Sequence, residues 1–180
     1  MNSLIRFGKS ISVIAAVCVA LVLILLLAWQ LVGAESGYKF VIRNLLTPAF
    51  AEGELGREMA MELVSQLQQT IILCIAIMFV ASAGWLAFAN FIPVARPGEA
   101  RNWAWVWFAI FVAGALASGA ITAFTFFVKT DLLRPDQVVP SVIFSILAYS
   151  IVYFVFGSLL ATPAHMRTAV PLATNLQRTG

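Results

Sequence analysis

The sequence predicts an all-α integral membrane four-helix bundle with an amphipathic outer helical excursion between spans 1 and 2. Three observations carry this reading. Hydrophobic residues make up 62% of the 180 residues and charged ones only 11%, against about half and a quarter in a soluble domain. Four windows reach the ~20 predominantly apolar residues needed to cross a ~30 Å hydrocarbon core. None of them contains Lys, Arg, Asp, Glu or His. The chain reads as one membrane domain over residues 1–180.

The first window is Ile11–Gly33. It follows a basic start with Arg6 and Lys9. Val32-Gly33-Ala34 resembles a signal-peptidase site, but the apolar stretch of about 22 residues exceeds the ~7–15 of a signal peptide. An uncleaved first helix is expected. The outer segment, residues 34–69, divides at Thr47-Pro48. Before that break Tyr38, Val41 and Leu45 share one helical face, which suits a short helix lying among headgroups. After it, from Glu54, only Gly56 weakens a continuous helical pattern up to Ile92. Such a helix is roughly 58 Å long, so several turns are expected to stand clear of the bilayer. Along that arm Leu55, Met59, Leu63 and Leu67 recur every fourth residue, with Glu54, Glu58 and Glu62 on the adjacent stripe. The leucine-methionine stripe either covers the chain's own outer segment or docks a partner.

The second span is Thr70–Ile92, the third Trp103–Val128 and the fourth Ser141–Thr162. Pro93, Pro140 and Pro163 flank these windows and none falls inside, so no span is expected to break in mid-membrane. Arg6, Lys9, Arg96, Arg101, Arg167 and Arg178 fall on one side with Glu99 as the only acid. The other side carries more acids than bases. Basic residues concentrate in the cytoplasm, so both termini are expected there. The absence of any soluble domain suggests a bacterial inner membrane.

Small and polar residues mark the expected helix contacts. Gly114, Ser118 and Thr122 share a face of the third span, continued by Thr125. The fourth carries Ser145, Tyr149, Tyr153 and Gly157 at every fourth position. Small residues let helix backbones approach closely inside lipid. The same stripes could instead line a groove. The first span, rich in Leu and Ile, has no such face and is expected to sit at the periphery. Trp103, Trp105 and Trp107 begin the third span beside Arg101 and read as an interfacial belt. Cys18 and Cys74 differ in depth by roughly 17 Å at ~1.5 Å per residue, beyond the ~7 Å a disulfide tolerates.

Little here suggests chemistry. One histidine, His165, and two separated cysteines do not make a haem or zinc ligand set. Gly8-Lys9-Ser10 lacks the upstream glycine of a phosphate loop, because Ser3 occupies that position. A net charge of +3 is too small for a phosphate-tracking surface, so no nucleic acid is expected. Proton-coupled carriers place ionisable groups at membrane depth, and these spans have none. The expectation is a non-enzymatic, cofactor-free subunit that scaffolds or assembles a larger membrane complex, such as a secretion or transport apparatus. Its partners would be the lipid bilayer and other membrane subunits. The alternative is a homo-oligomeric small transporter or channel that uses the Ser/Thr/Tyr stripes.

Overall fold

A computed structural model describes residues 2–31, 39, 43–44, 53–94, 99–128, 134–160 and 162–170. Every described element is helical. Four helices are long and apolar enough to cross a membrane. They are α1 (Asn2–Leu31), α2 (Gly53–Phe91), α3 (Ala104–Val128) and α4 (Val138–Val152), the last running on as a π-helical stretch over Tyr153–Leu160. Short 3-10 turns occupy Glu99–Trp103, Pro135–Gln137 and Ala164–Ala169.

Helix α2 is unbroken over 39 residues, one residue from the bounds expected. Residues 71–91 are almost wholly apolar, and no Pro interrupts the arm that precedes them. α1 begins earlier than expected, because Asn2–Ser10 joins the helix ahead of the apolar window. α4 also begins earlier, at Val138, which places Pro140 inside its first turn rather than before it. A proline is harmless there, since the first-turn N–H groups have no intrahelical acceptor. The Tyr38/Val41/Leu45 face, Thr47-Pro48 and Arg178 lie outside the described residues.

Pairwise contacts make successive helices antiparallel. The Phe7 ring on α1 lies 5.4 Å from Phe91 at the far end of α2. Thr70 on α2 meets Thr125 on α3, and Phe88 meets Trp103. Ser118 on α3 meets Ser145 on α4, and Trp107 meets Tyr153. The start of α1, the end of α2, the start of α3 and the end of the π stretch therefore share one end, here the tail end. The opposite end, where α2 extends as the arm, is the arm end.

The main core gathers Trp85, Leu86, Trp107, Tyr149, Tyr153, Met166 and Val170 with Ile14 and Cys18 from α1. α1 packs mainly along α2, leaving Leu4, Val19, Leu23, Ile24 and Leu27 exposed. Ser and Thr side chains repeatedly bond the carbonyl one turn back, as Ser12 does to Gly8 at 2.8 Å and Ser150 to Ile146 at 2.7 Å. Hydroxyls in apolar helices are satisfied this way without needing a neighbour.

Candidate functional site

The polar residues of α2, α3 and α4 converge on a seam. Near the arm end, Thr70 and Thr125 bring their hydroxyl oxygens to 2.7 Å. Thr70 also reaches the Gln66 carbonyl at 2.9 Å and Thr125 the Ile121 carbonyl at 3.0 Å. Two hydroxyl protons serve three contacts, so one back-bond yields when the threonines pair. One turn deeper, the Ser118 carbonyl gathers three donors. Thr122 Oγ1 donates at 3.0 Å, Ser145 Oγ at 3.5 Å and the Cys74 thiol at 3.9 Å. Ser145 also bonds the Val142 carbonyl at 2.9 Å. The Ser118 hydroxyl is fully buried and finds no partner. Cys18 and Cys74 are both free and buried.

The seam closes toward the tail end under two tyrosines. Tyr149 and Tyr153 stack with centroids 5.7 Å apart, and both are fully buried. Their hydroxyls lean on the carbonyls of Ile110 and Trp107, each at 3.4 Å. Gly114 makes room for this: a Cβ there would collide with the ring and hydroxyl of Tyr149. Gly119 faces Ile146, where a Cβ would lie 2.9 Å from the terminal methyl.

At the tail end the indoles are tied to the end of α4. Trp107 Nε1 donates to Ser158 Oγ at 2.7 Å, and Trp85 Nε1 to Thr162 Oγ1 at 2.8 Å. Ser158 in turn donates to the Tyr153 carbonyl, five residues back, at 3.0 Å. That spacing is the π-helical one, and Gly157 sits within the widened stretch. Beyond Pro163, His165 Nε2 lies 3.0 Å from the Ala89 carbonyl. A carbonyl only accepts, so Nε2 holds the proton. Ala89 belongs to the last turn of α2, and the residue four on is Pro93, which has no N–H to offer its carbonyl, so His165 caps that helix. Asn90 beside it donates to Leu86 at 2.9 Å and leaves its own oxygen unpaired. Met166 and Ala169 bury against the Glu99–Trp103 turn.

One expectation changes. Trp107 is 5% exposed and part of the core, while Trp105 is 64% exposed. Residues two apart on a helix point about 200° from each other, so the three tryptophans cannot form one belt. His165, which the sequence offers only as a lone histidine beyond Pro163, is a helix cap. Along the arm, Leu63 is 3% exposed, so the chain itself covers the middle of that stripe. Met59 and Leu67 are half-buried, and the Leu55 side chain lies outside the described residues.

Of the expected packing residues, the structure brings together Gly114, Ser118, Thr122, Ser145, Tyr149 and Tyr153. It adds Thr70, Cys74, Trp85, Ser158 and Thr162, which the stripe reading did not single out. A sequence signal for two of these exists. The Glu54/Glu58/Glu62 stripe continues at the same spacing through Gln66, Thr70 and Cys74.

Beside the Thr70–Thr125 pair an open groove of about 630 Å³ lies between α2 and α3. Gln66, Gln69, Thr70 and Leu73 line one wall, and Ala120, Ile121, Phe124 and Thr125 the other. A second, almost wholly apolar groove of about 330 Å³ separates α1 from α2 around Cys18 and Ile75. Among the described residues no three His, Cys, Asp or Glu side chains gather in a way that could hold a metal. Comparison with protein-family models, curated proteins and solved structures returns no match.

Proposed function

We propose that this chain is a non-catalytic, multi-pass membrane subunit that scaffolds or assembles a larger complex, with secretion or transport machinery the class in view. One observation carries the reading: the seam's polar groups are committed inside the chain. Ser118, Thr122, Tyr149, Tyr153 and Ser158 are buried, and all but the Ser118 hydroxyl have protein partners. A conducting or substrate-handling path needs polar groups facing a lumen, and the stretch of the seam from Thr122 to Ser158 keeps its polar groups buried, leaving only the Thr70–Thr125 end beside an open groove. The lack of ionisable groups in the apolar windows removes the usual handle for charge-coupled transport. Tight internal hydrogen bonding with an apolar exterior suits a part that holds shape in lipid. The reading does not depend on the arm stripe, whose central Leu63 is covered.

In this reading the tail end faces the cytoplasm of a bacterial inner membrane and the arm faces outward. Lys9, Arg101 and Arg167 then lie on the positive inner side, and Glu58 and Glu62 outside. Labelling single cysteines in a background lacking Cys18 and Cys74 checks this. An impermeant reagent should reach position 58 but not 101 in intact cells, and the reverse pattern inverts the orientation.

The functional test is purification from native membranes in mild detergent, followed by native mass spectrometry. Other membrane chains at fixed stoichiometry are expected. If instead the pure chain in liposomes moves a solute at a rate abolished by Tyr149→Phe or Thr122→Val, the chain is a small transporter or channel and the seam is its path.

A further inference from the structure

We propose that the tail end binds the phosphate of an anionic phospholipid at Arg167 and Arg101, where the Ala164–Ala169 and Glu99–Trp103 turns meet. This rests on the membrane reading of the four helices, and on neither the assembly reading nor the orientation. The Ala164–Ala169 turn packs against the Glu99–Trp103 turn and against the start of α3. Ala100, Met166 and Ala169 are buried there, so packing fixes the backbone that carries each arginine. Arg167 is the anchor. It is half-buried, and its Nε is enclosed by the chain and finds no partner. A guanidinium stays charged, and its charge is delocalised over three nitrogens. An anion at the outer Nη edge therefore compensates the whole group, and two phosphate oxygens match that edge.

The charge balance of this end favours an anion. Among the described residues it carries Arg6, Lys9, Arg101 and Arg167, with Glu99 the one acid. Arg6 and Glu99 already have partners. With Glu99 counted in full against one of these cations, the end is still positive. Residues 95–98 and 171–180, outside the described residues, add Arg96 and Arg178 and no Asp or Glu. His165 donates to the Ala89 carbonyl and brings no negative charge. Helix dipoles offset one another here, because α1 and α3 begin at this end while α2 and the α4 stretch finish at it.

The surface beside the arginines selects a lipid over a free anion. Arg101 and Asn102 are exposed, and the exposed surface continues along α3 through Trp105 to Phe108. An indole at that level suits the headgroup boundary, and Phe108 lies a turn deeper, among acyl chains. A free phosphate would touch the arginines alone. A phospholipid covers the arginines with its head and the two rings with its glycerol and chains. Basic surfaces at the ends of spanning helices are where anionic head groups bind. A choline lipid offers the same phosphate with an added ammonium, which a positive end repels.

The test uses the intact chain in phosphatidylcholine nanodiscs carrying a trace of photoactivatable lipid, either phosphatidylglycerol or phosphatidylcholine, with crosslinks mapped by peptide mass spectrometry. The glycerol lipid should label residues 101–108 and 164–169 over the choline lipid by roughly tenfold or more, since each arginine supplies about fivefold at a membrane surface. Arg167→Gln and Arg101→Gln should each lower that preference by about fivefold. Lys9→Gln, on α1 at the same end, should leave it nearly unchanged. Arg101 is exposed, so its variant leaves the core intact and decides the matter even if Arg167→Gln fails to fold. Equal labelling by the two lipids in the unaltered chain means annular lipid only and overturns the proposal. A loss with Lys9→Gln as large as with Arg101→Gln means a diffuse field and no site, which also overturns it. Loss of label in inorganic phosphate, beyond that in chloride at the same ionic strength, means a free-anion site and overturns the lipid. Release of the chain by alkaline carbonate would instead sink the membrane reading itself.

Discussion

The two ends of the helix assembly place polar side chains between helices to opposite effect. At the tail end, indole N–H groups, hydroxyls and one imidazole reach across between elements, and each bond is direct. Trp85 meets Thr162, Trp107 meets Ser158 and His165 meets the end of α2. At the arm end, Thr70 and Thr125 touch, yet each is also committed to its own helix, and a groove opens beside them. The difference lies in donors. An indole N–H has no carbonyl of its own helix to fall back on, so it must find a partner on another element. A threonine hydroxyl can always bond one turn back. Long-reach, donor-only side chains close an end, and self-sufficient hydroxyls leave it open.

The sharpest way to break this contrast is at Gly114, where the seam meets the closed end. Gly114→Ala should destabilise by about 3 kcal/mol, the upper range for overpacking, because the rigid Tyr149 ring has nowhere to retreat. Gly119→Ala should cost under about 1 kcal/mol, since only the end of the flexible Ile146 side chain must move. Reversible unfolding in mixed micelles compares the two, and equal costs would mean Tyr149 is loosely held.

Next in size is Thr162→Val. It strands the buried Trp85 N–H and should cost about 2 kcal/mol, with a shift in indole fluorescence as the bond is lost. His165→Ala should cost about 1 kcal/mol and speed amide exchange in the last turn of α2, near Phe91, without touching the arm. Smallest is Thr125→Val at about 0.6 kcal/mol, typical of interhelical hydrogen bonds in membranes. Should Thr125→Val cost as much as Thr162→Val in the same thermal melts, the ends do not differ and the donor argument is wrong.

Much of the frame was legible in the sequence. Hydropathy alone located four helices, because burial in lipid demands long runs without charge and those runs are local. The uninterrupted arm followed from the lack of Pro after Glu54. The small-residue faces at Gly114, Ser118 and Thr122 were legible because every-fourth spacing is a property of one helix. What stayed hidden depended on partners far along the chain. Trp85 and Thr162 are 77 positions apart, and His165 and Ala89 are 76. Nothing local about an indole says which hydroxyl it will find. The π-helical stretch was hidden for the same reason: Ser158 takes its place there by bonding both the Tyr153 carbonyl and the Trp107 indole. Whether Leu63 is covered by the chain or docks a partner stayed open, because periodicity reveals a face but not what lies against it.

The lock at the tail end also imposes an order in time. Trp85, Ala89 and Trp107 are synthesised well before Ser158, Thr162 and His165 appear, so α1, α2 and the start of α3 are complete while their tail-end partners do not yet exist. During that interval two indole N–H groups and a helix-end carbonyl lack the partners they have in the folded chain. The Thr70–Thr125 and Cys74–Ser118 contacts need nothing later than Thr125 and can form as soon as α3 emerges. Order of synthesis thus lets the arm-end contacts form first, and the residues that fasten the tail end come last.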